Sequence, residues 1–188
     1  MENKNTRDLI LKKANELFLV KGYQNTTIPD ICKYCNISKT TFYYHIKSKE
    51  EILTVFYDYI VAEVIEKLKN SNVEQRPFDK IQYCFDLFIS VSEKYGSDFF
   101  SYMFISNLKE DKGSFDLRGN LTTTVVDIIK EAQTTDDILN KEEATTLYVT
   151  IAYAFIGLQA IWCIRDGKVN CKEKFNRFLK VILIPKDL

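Results

Sequence analysis

The sequence predicts an all-α protein of about nine helices. Only six glycines and three prolines interrupt its 188 residues, and between them apolar residues recur every three or four positions instead of alternating. Residues that begin and end helices stand at the edges of these apolar segments. With 46% hydrophobic and 28% charged residues, the composition is that of a globular protein, which excludes disordered and low-complexity classes.

The first helix is marked by one apolar face and ends at Gly22, a residue suited to the left-handed conformation after a helix. Its face follows the spacing i, i+4, i+7 and i+8 and consists of Ile10, Ala14, Leu17 and Phe18. Thr27, followed three residues later by Asp30, forms a capping box that begins a second helix, about Ile28 to Cys35.

A short turn separates the second helix from a third one. Asn36 tolerates positive φ and ends the second helix, and Ser38 is the N-cap of the next. The third helix is expected at about Lys39 to Ile46. Six further helices follow from the same signals: Ser48 to about Lys69, Phe78 to Gly96, Phe99 to Leu108, Phe115 to Ala132, Lys141 to Asp166 and Lys172 to Ile184.

The formal net charge of zero hides two regions of opposite charge. Residues 1–50 contain nine Lys or Arg and five Asp or Glu, a net charge of +4, so the remainder carries −4. A local basic excess is the electrostatic footprint of a nucleic-acid reader. We therefore predict two domains, residues 1–47 for DNA binding and residues 48–188 for other tasks.

The cysteines and the apolar stretches predict a soluble cytoplasmic protein. The five cysteines are an odd number in a chain too large to need disulfides, which favours a reducing compartment. Tyr148 to Ile164, the longest apolar stretch, is interrupted by polar residues and falls short of the roughly 20 apolar residues of a membrane span. We expect no signal peptide and no membrane partner.

The two short helices with their turn have the plan of a helix-turn-helix, whose second helix enters the major groove of DNA. On a helical wheel Phe42 and Ile46 point to the core of this module. The other positions face outward or lie at the edge: Lys39, Thr40, Thr41, Tyr43, Tyr44 and His45. Tyrosine and threonine side chains can contact phosphates, base edges and thymine methyl groups.

Between Ala14 and Leu53 the sequence resembles the TetR (tetracycline-repressor-like) family of bacterial transcriptional regulators. The matching segments are Ala-x-x-Leu-Phe-x-x-x-Gly-Tyr from Ala14, Thr-Thr-Ile-x-x-Ile from Thr26, Ile-Ser-Lys-x-Thr-Phe-Tyr-Tyr-His from Ile37 and Lys-Ser-Lys-Glu-Glu-Ile-Leu from Lys47. The resemblance implies that Thr27 caps helix two against a phosphate and that His45 and Lys49 bind phosphate. It also implies contacts to bases or backbone from Lys39, Thr41, Tyr43 and Tyr44.

Together with the helix-turn-helix plan, this gives the expected DNA-binding set: Thr27, Ser38, Lys39, Thr40, Thr41, Tyr43, Tyr44, His45 and Lys49. Two positions depart from the family pattern. Ile46 stands where phenylalanine is usual, which is a tolerable core exchange. Thr40 stands where glycine is frequent, and this change could alter base preference.

The resemblance implies that the second domain dimerises through its last two helices and encloses a ligand pocket. A small-residue seam and a facing stripe form the expected dimer face: Ala154, Gly157, Ile161, Phe175, Phe178, Leu179 and Ile182. Inward positions on the resembled fold suggest the pocket residues Phe88, Met103, Tyr148, Phe155 and Gln159. The dimer would address two half-sites roughly 34–36 Å or a little more apart.

The leading hypothesis is a repressor released from its operator by a small hydrophobic or aromatic effector. An alternative keeps DNA binding but replaces the effector with a protein partner or thiol oxidation. An enzyme is the least favoured class, because the sequence has no Gly-rich phosphate loop and no G-x-S-x-G motif. Cys32 and Cys35 are expected to be core residues, and we predict no catalytic residues, metal site or cofactor.

Overall fold

The computed structural model describes residues 2–70, 76–117 and 119–186. Its described residues form eight helices and no strand, which confirms the predicted all-α class. The helices are α1 (Glu2–Lys21), α2 (Ile28–Cys35), α3 (Lys39–His45), α4 (Lys49–Lys69), α5 (Pro77–Lys109), α6 (Asn120–Thr134), α7 (Ala144–Ile164) and α8 (Cys171–Leu183).

Helix α5 contains both helices that were predicted on either side of residues 96–98. Its backbone leaves the helical conformation at Gly96, where φ is 82° and ψ is 162°. Only glycine adopts such angles readily, because a Cβ would collide with the backbone itself. Gly96 therefore divides α5 into a first arm and a second arm, the latter comprising residues 97–109.

Helices α6 and α7 begin later in the chain than predicted, and each start has a local cause. Helix α6 begins at Asn120 instead of near Phe115, because Gly119 precedes it with a φ of 92°. Helix α7 begins at Ala144 instead of Lys141, because the Glu143 carboxylate accepts a hydrogen bond from the Thr146 N–H at 2.7 Å. The predicted loop after Asn70 lies partly outside the described residues.

The chain forms two compact units, and helices α4 and α5 each contribute to both. The first unit is Met1–Tyr59 with Ser92–Ser114, and the second is Ile60–Val91 with Phe115–Leu188. This spatial division differs from the predicted functional boundary after residue 47, which stays a prediction.

The core of the first unit is aromatic. The Tyr23 ring lies 5.1 Å from Phe18, 6.0 Å from Phe99 and 5.0 Å from Tyr102, measured between ring centroids. Phe56 of α4 packs on Phe99 at 5.1 Å. These rings join α1, α4 and the second arm of α5, and the unit that carries the helix-turn-helix therefore includes part of α5.

In the second unit the carboxylate of Asp137 fastens the start of α5. It accepts hydrogen bonds from the Phe78 N–H at 2.7 Å and the Arg76 Nε at 2.8 Å.

Helix α7 is long and apolar enough to cross a membrane by length and composition, although the sequence predicted an apolar stretch too short for that. Of its apolar window, 44% is buried inside the fold.

Replacing Gly96 with alanine is expected to lower the free energy of unfolding by about 1–3 kcal/mol, because the fold would hold the alanine in a backbone conformation that L residues rarely adopt. Ser97→Ala is the matched control, because Ser97 is the next residue and its backbone is helical. This variant should change the free energy of unfolding by no more than about 0.5 kcal/mol. Urea unfolding followed by circular dichroism measures both. Equal stability of the two variants would contradict the assigned conformation.

Candidate nucleic-acid interface

The N-terminus of α2 is held by the predicted capping box. The Thr27 hydroxyl accepts from the Asp30 N–H at 3.3 Å, and the Asp30 carboxylate accepts from the Thr27 N–H at 2.9 Å. The Thr27 hydroxyl also donates to Asp30 at 2.7 Å. These bonds fix the first turn of α2.

The Asp30 carboxylate is stabilised in its ionised form. The hydrogen bonds from Thr27, first the hydroxyl and then the backbone N–H, together with Lys21, lower the pKa of Asp30 to about 2. Its oxygen lies 3.3 Å from the Lys21 Nζ. The capping box therefore keeps its charge throughout the pH range in which a DNA-binding protein works.

The turn between α2 and α3 has the predicted conformation. Asn36 adopts left-handed angles, with φ at 55° and ψ at 46°. The Ser38 hydroxyl accepts from the Thr41 N–H at 3.0 Å and lies 2.9 Å from the Thr41 hydroxyl. Two of the predicted DNA-binding residues therefore bind each other, while Lys39 and Thr40 beside them are exposed.

Helix α3 presents aromatic side chains to solvent. Phe42 and Ile46 are fully buried, which confirms their predicted core positions. Tyr43 is 54% exposed and Tyr44 73% exposed, and the half-buried His45 ring lies 5.0 Å from the ring of Tyr44. The Tyr43 ring also lies 5.5 Å from the ring of Phe42. Each tyrosine therefore packs on a neighbour and still presents a large part of its ring to solvent.

A groove of about 260 Å³ lies beside Tyr43. The start of α2 and the start of α4 both border it. The groove is lined by Gln24, Thr26, Thr27, Ile28, Tyr43, Lys47, Ser48, Lys49 and Glu50. Lys47 and the hydroxyl groups of this lining suit a phosphate group, whereas Glu50 opposes an anion.

Lys49, predicted to bind phosphate, directs its ammonium group to the protein itself. Its Nζ donates to the carbonyl oxygens of Tyr23 and Thr26, each at 2.9 Å, and lies 4.1 Å from the centroid of the Tyr23 ring. The sequence does not identify Tyr23 and Thr26 as acceptors. The only available signal was the Gly-Tyr pair in the resemblance, since backbone carbonyls leave no mark in a sequence.

The thiols of Cys32 and Cys35 are buried on the inner side of α2. Burial raises the pKa of both cysteines above its ordinary value, which favours the neutral thiol. In the part of the chain that the structure describes, no three His, Cys, Asp or Glu side chains are grouped to hold a metal ion.

Comparison with known proteins supports the interpretation of these helices. Residues 10–55 match the family model described as "Bacterial regulatory proteins, tetR family". The chain is 29% identical over 186 residues to the biofilm operon icaADBC HTH-type negative transcriptional regulator IcaR of Staphylococcus epidermidis, with 94% of this chain and 98% of that protein covered. It is 32% identical to the Staphylococcus aureus regulator of the same name over 56% of each chain.

The fold of the whole chain agrees with that assignment. The crystal structure of Thermus thermophilus FadR, a TetR family transcriptional repressor, in complex with lauroyl-CoA has a TM-score of 0.75 and 20% identity, with 94% of this chain and 92% of that chain covered. These matches support a TetR family transcriptional regulator. The chain is a DNA-binding transcriptional regulator with an N-terminal helix-turn-helix.

The predicted dimer residues divide into two groups. Phe175 and Leu179 are fully buried in the core of their own chain, so a partner cannot reach them, and their prediction as interface residues needs correction. They point inward because α8 uses this face against Phe85 and Phe155. The others keep exposed or half-buried surface: Ala154, Gly157, Ile161, Phe178 and Ile182.

The predicted effector residues are all buried. Phe88, Tyr148, Phe155 and Gln159 belong to the second unit of the TetR family fold, and Met103 belongs to the first. The rings of Phe88 and Phe155 lie 6.0 Å apart, and burial raises the pKa of Tyr148. Their role toward a ligand stays a prediction.

Titration of Asp30 tests the geometry of the capping box. We expect carbon-detected NMR to give a pKa near 2, because the folded state stabilises the carboxylate. A depressed folded pKa stabilises the fold above the unfolded value of about 3.9, and this contribution is lost as pH falls from about 4 toward 2. Thr27→Val should raise the pKa of Asp30. A midpoint at or above 3.9 in the unaltered protein would contradict the bonds described.

Proposed function

We propose that the chain is a homodimeric repressor that binds a pseudo-palindromic operator through α3 and the groove beside it. The observation that carries this proposal is the exposed pair Tyr43 and Tyr44 next to a groove bordered by two helix N-termini. The tyrosines would contact bases and backbone, and Lys39, Thr40 and His45 would add contacts along the same helix. A backbone phosphate would occupy the groove, near Thr27.

The charge distribution supports this orientation. Residues 1–50 carry a net charge of +4 while the rest of the chain carries −4. The first 50 residues therefore attract the duplex more strongly than the rest of the chain does. Binding should weaken as salt increases, because each neutralised phosphate releases counterions.

We propose repression because IcaR of Staphylococcus epidermidis, which aligns with 94% of this chain, is named as a negative regulator. The named relatives are transcriptional regulators, and we propose no enzymatic activity for this chain. We further propose a cytoplasmic location, where the operator DNA of a bacterial regulator is found.

The proposed dimer uses the exposed apolar surface of α7 and α8. Tyr153, Gly157, Ile161 and Ile164 lie on one face of α7 at helical spacing and are exposed in the single chain. Phe178 and Val181 are exposed apolar residues of α8. An apolar surface on two neighbouring helices is typical of a self-complementary interface in a two-fold dimer.

The proposed effector is small and hydrophobic or aromatic. Phe88, Tyr148, Phe155 and Gln159 combine apolar surface with a few polar groups, as ligand pockets do. The related FadR structure contains lauroyl-CoA, an acyl ligand, on the same fold. Effector binding would favour a dimer whose two α3 helices no longer fit the operator.

Tyr43→Ala is expected to weaken operator binding by about 1–3 kcal/mol, because it removes a contact on the reading face. Tyr59→Ala is the matched control, since Tyr59 is 51% exposed on α4, outside α3 and its groove. Fluorescence anisotropy with operator DNA, identified by selection from a random library, measures both affinities. If both variants bind as tightly as the unaltered protein, α3 is not the reading helix.

Ile161→Glu is expected to convert the dimer to a monomer, because a charge buried in an apolar interface is strongly unfavourable. Ile105→Glu provides the control, as both isoleucines are exposed to a similar degree, 49% and 43%. Light scattering after gel filtration measures the mass of each. A dimeric Ile161→Glu protein, or a monomeric unaltered protein at micromolar concentration, would contradict the proposed interface.

A further inference from the structure

Lys49 sits at the first position of α4 but binds the turn between α1 and α2. Its two carbonyl acceptors, Tyr23 and Thr26, lie 26 and 23 residues earlier in the chain. The side chain is only half exposed, and burial lowers the pKa of Lys49, an effect that Glu50 and Asp98 partly offset. Protein carbonyl oxygens therefore replace part of the hydration shell of the Lys49 ammonium.

The turn that Lys49 binds leads directly into the DNA-facing end of α2. The buried Thr26 hydroxyl donates to the Gly22 carbonyl at 2.8 Å, and the Thr26 N–H donates to the Tyr23 carbonyl at 3.2 Å. Thr27, the N-cap of α2, is the next residue. Any displacement of this turn would move the N-terminus of α2 and change the groove.

The same turn is also fixed by the aromatic core of the first unit. The ring of Tyr23 packs on Phe18, Phe99 and Tyr102, and the Lys49 ammonium lies over the same ring. The Tyr23 hydroxyl is buried without a hydrogen-bond partner, so the ring and the carbonyl carry the interaction. Lys49 and Tyr23 thus join α4, the turn and the second arm of α5.

Transfer of this ammonium to a DNA phosphate would remove a donor from the carbonyls of two buried residues, leaving the Tyr23 carbonyl with the Thr26 N–H and breaking the bond to the Thr26 carbonyl. Loss of such bonds is unfavourable for groups shielded from water. We propose that Lys49 is a positioning residue that holds the start of α2 in its DNA-binding geometry and is not itself a phosphate contact. This inference rests on the proposed DNA-binding function. It reverses the role that the family resemblance implied for Lys49.

The salt dependence of DNA binding separates the two roles. A lost phosphate contact reduces the slope of log K against log salt by about 0.9 for each contact, whereas a lost positioning residue lowers affinity at unchanged slope. We expect Lys49→Met to bind operator at least 10-fold more weakly with the slope of the unaltered protein. Lys49→Arg, which can still donate to both carbonyls, should recover most of the affinity.

Lys47→Met is the matched control, because Lys47 is exposed and lines the same groove. For Lys47→Met the slope of log K against log salt should become shallower by about 0.9 for each phosphate contact removed. The proposal is overturned if Lys49→Met loses slope as Lys47→Met does, or if Lys49→Met binds as tightly as the unaltered protein.

A second measurement does not depend on DNA or on the variant folding. NMR of the unaltered protein labelled at lysine should show the Lys49 ammonium protons protected from exchange with water, while those of Lys47 exchange rapidly. Rapid exchange at Lys49 would overturn the proposal. If the Lys49 protons are protected but no DNA binds, the proposed function fails and the positioning contact stands.

Discussion

The structure of the first unit depends on the burial of Tyr23 between aromatic rings and an ammonium group. The ring contacts Phe18 of α1 and Phe99 and Tyr102 of α5, and the Lys49 Nζ lies 4.1 Å from its centroid. Its carbonyl accepts from the same ammonium at 2.9 Å. One residue thereby fixes three helices around the turn that precedes α2, and a small three-helix module gains a larger core.

The DNA-facing surface follows from that constraint. Once the turn is fixed, the capping box of Thr27 and Asp30 orients the start of α2, and the left-handed Asn36 sets the direction of α3. Burial of Phe42 then leaves Tyr43 and Tyr44 outside. The exposed aromatic face is therefore the consequence of caps and core positions, and the chain needs no further device to present it.

The sequence predicted well the features that depend on local chemistry. The Thr27–Asp30 capping box, the Asn36 turn and the bounds of α2 agree with the structure because each is determined within a few residues. Features that depend on distant contacts were not predictable. Neither the inward role of Phe175 and Leu179 nor the acceptors of Lys49 follows from spacing, because each depends on a partner helix whose position only the folded chain defines.

A structure of the operator complex would show whether an internal contact of Lys49 maintains the DNA-binding face. We expect the Lys49 Nζ to remain within hydrogen-bond distance of the Tyr23 and Thr26 carbonyl oxygens in the bound protein. We also expect a phosphate in the groove beside Thr27. A Lys49 ammonium that has left both carbonyls and lies against a phosphate would contradict the positioning role.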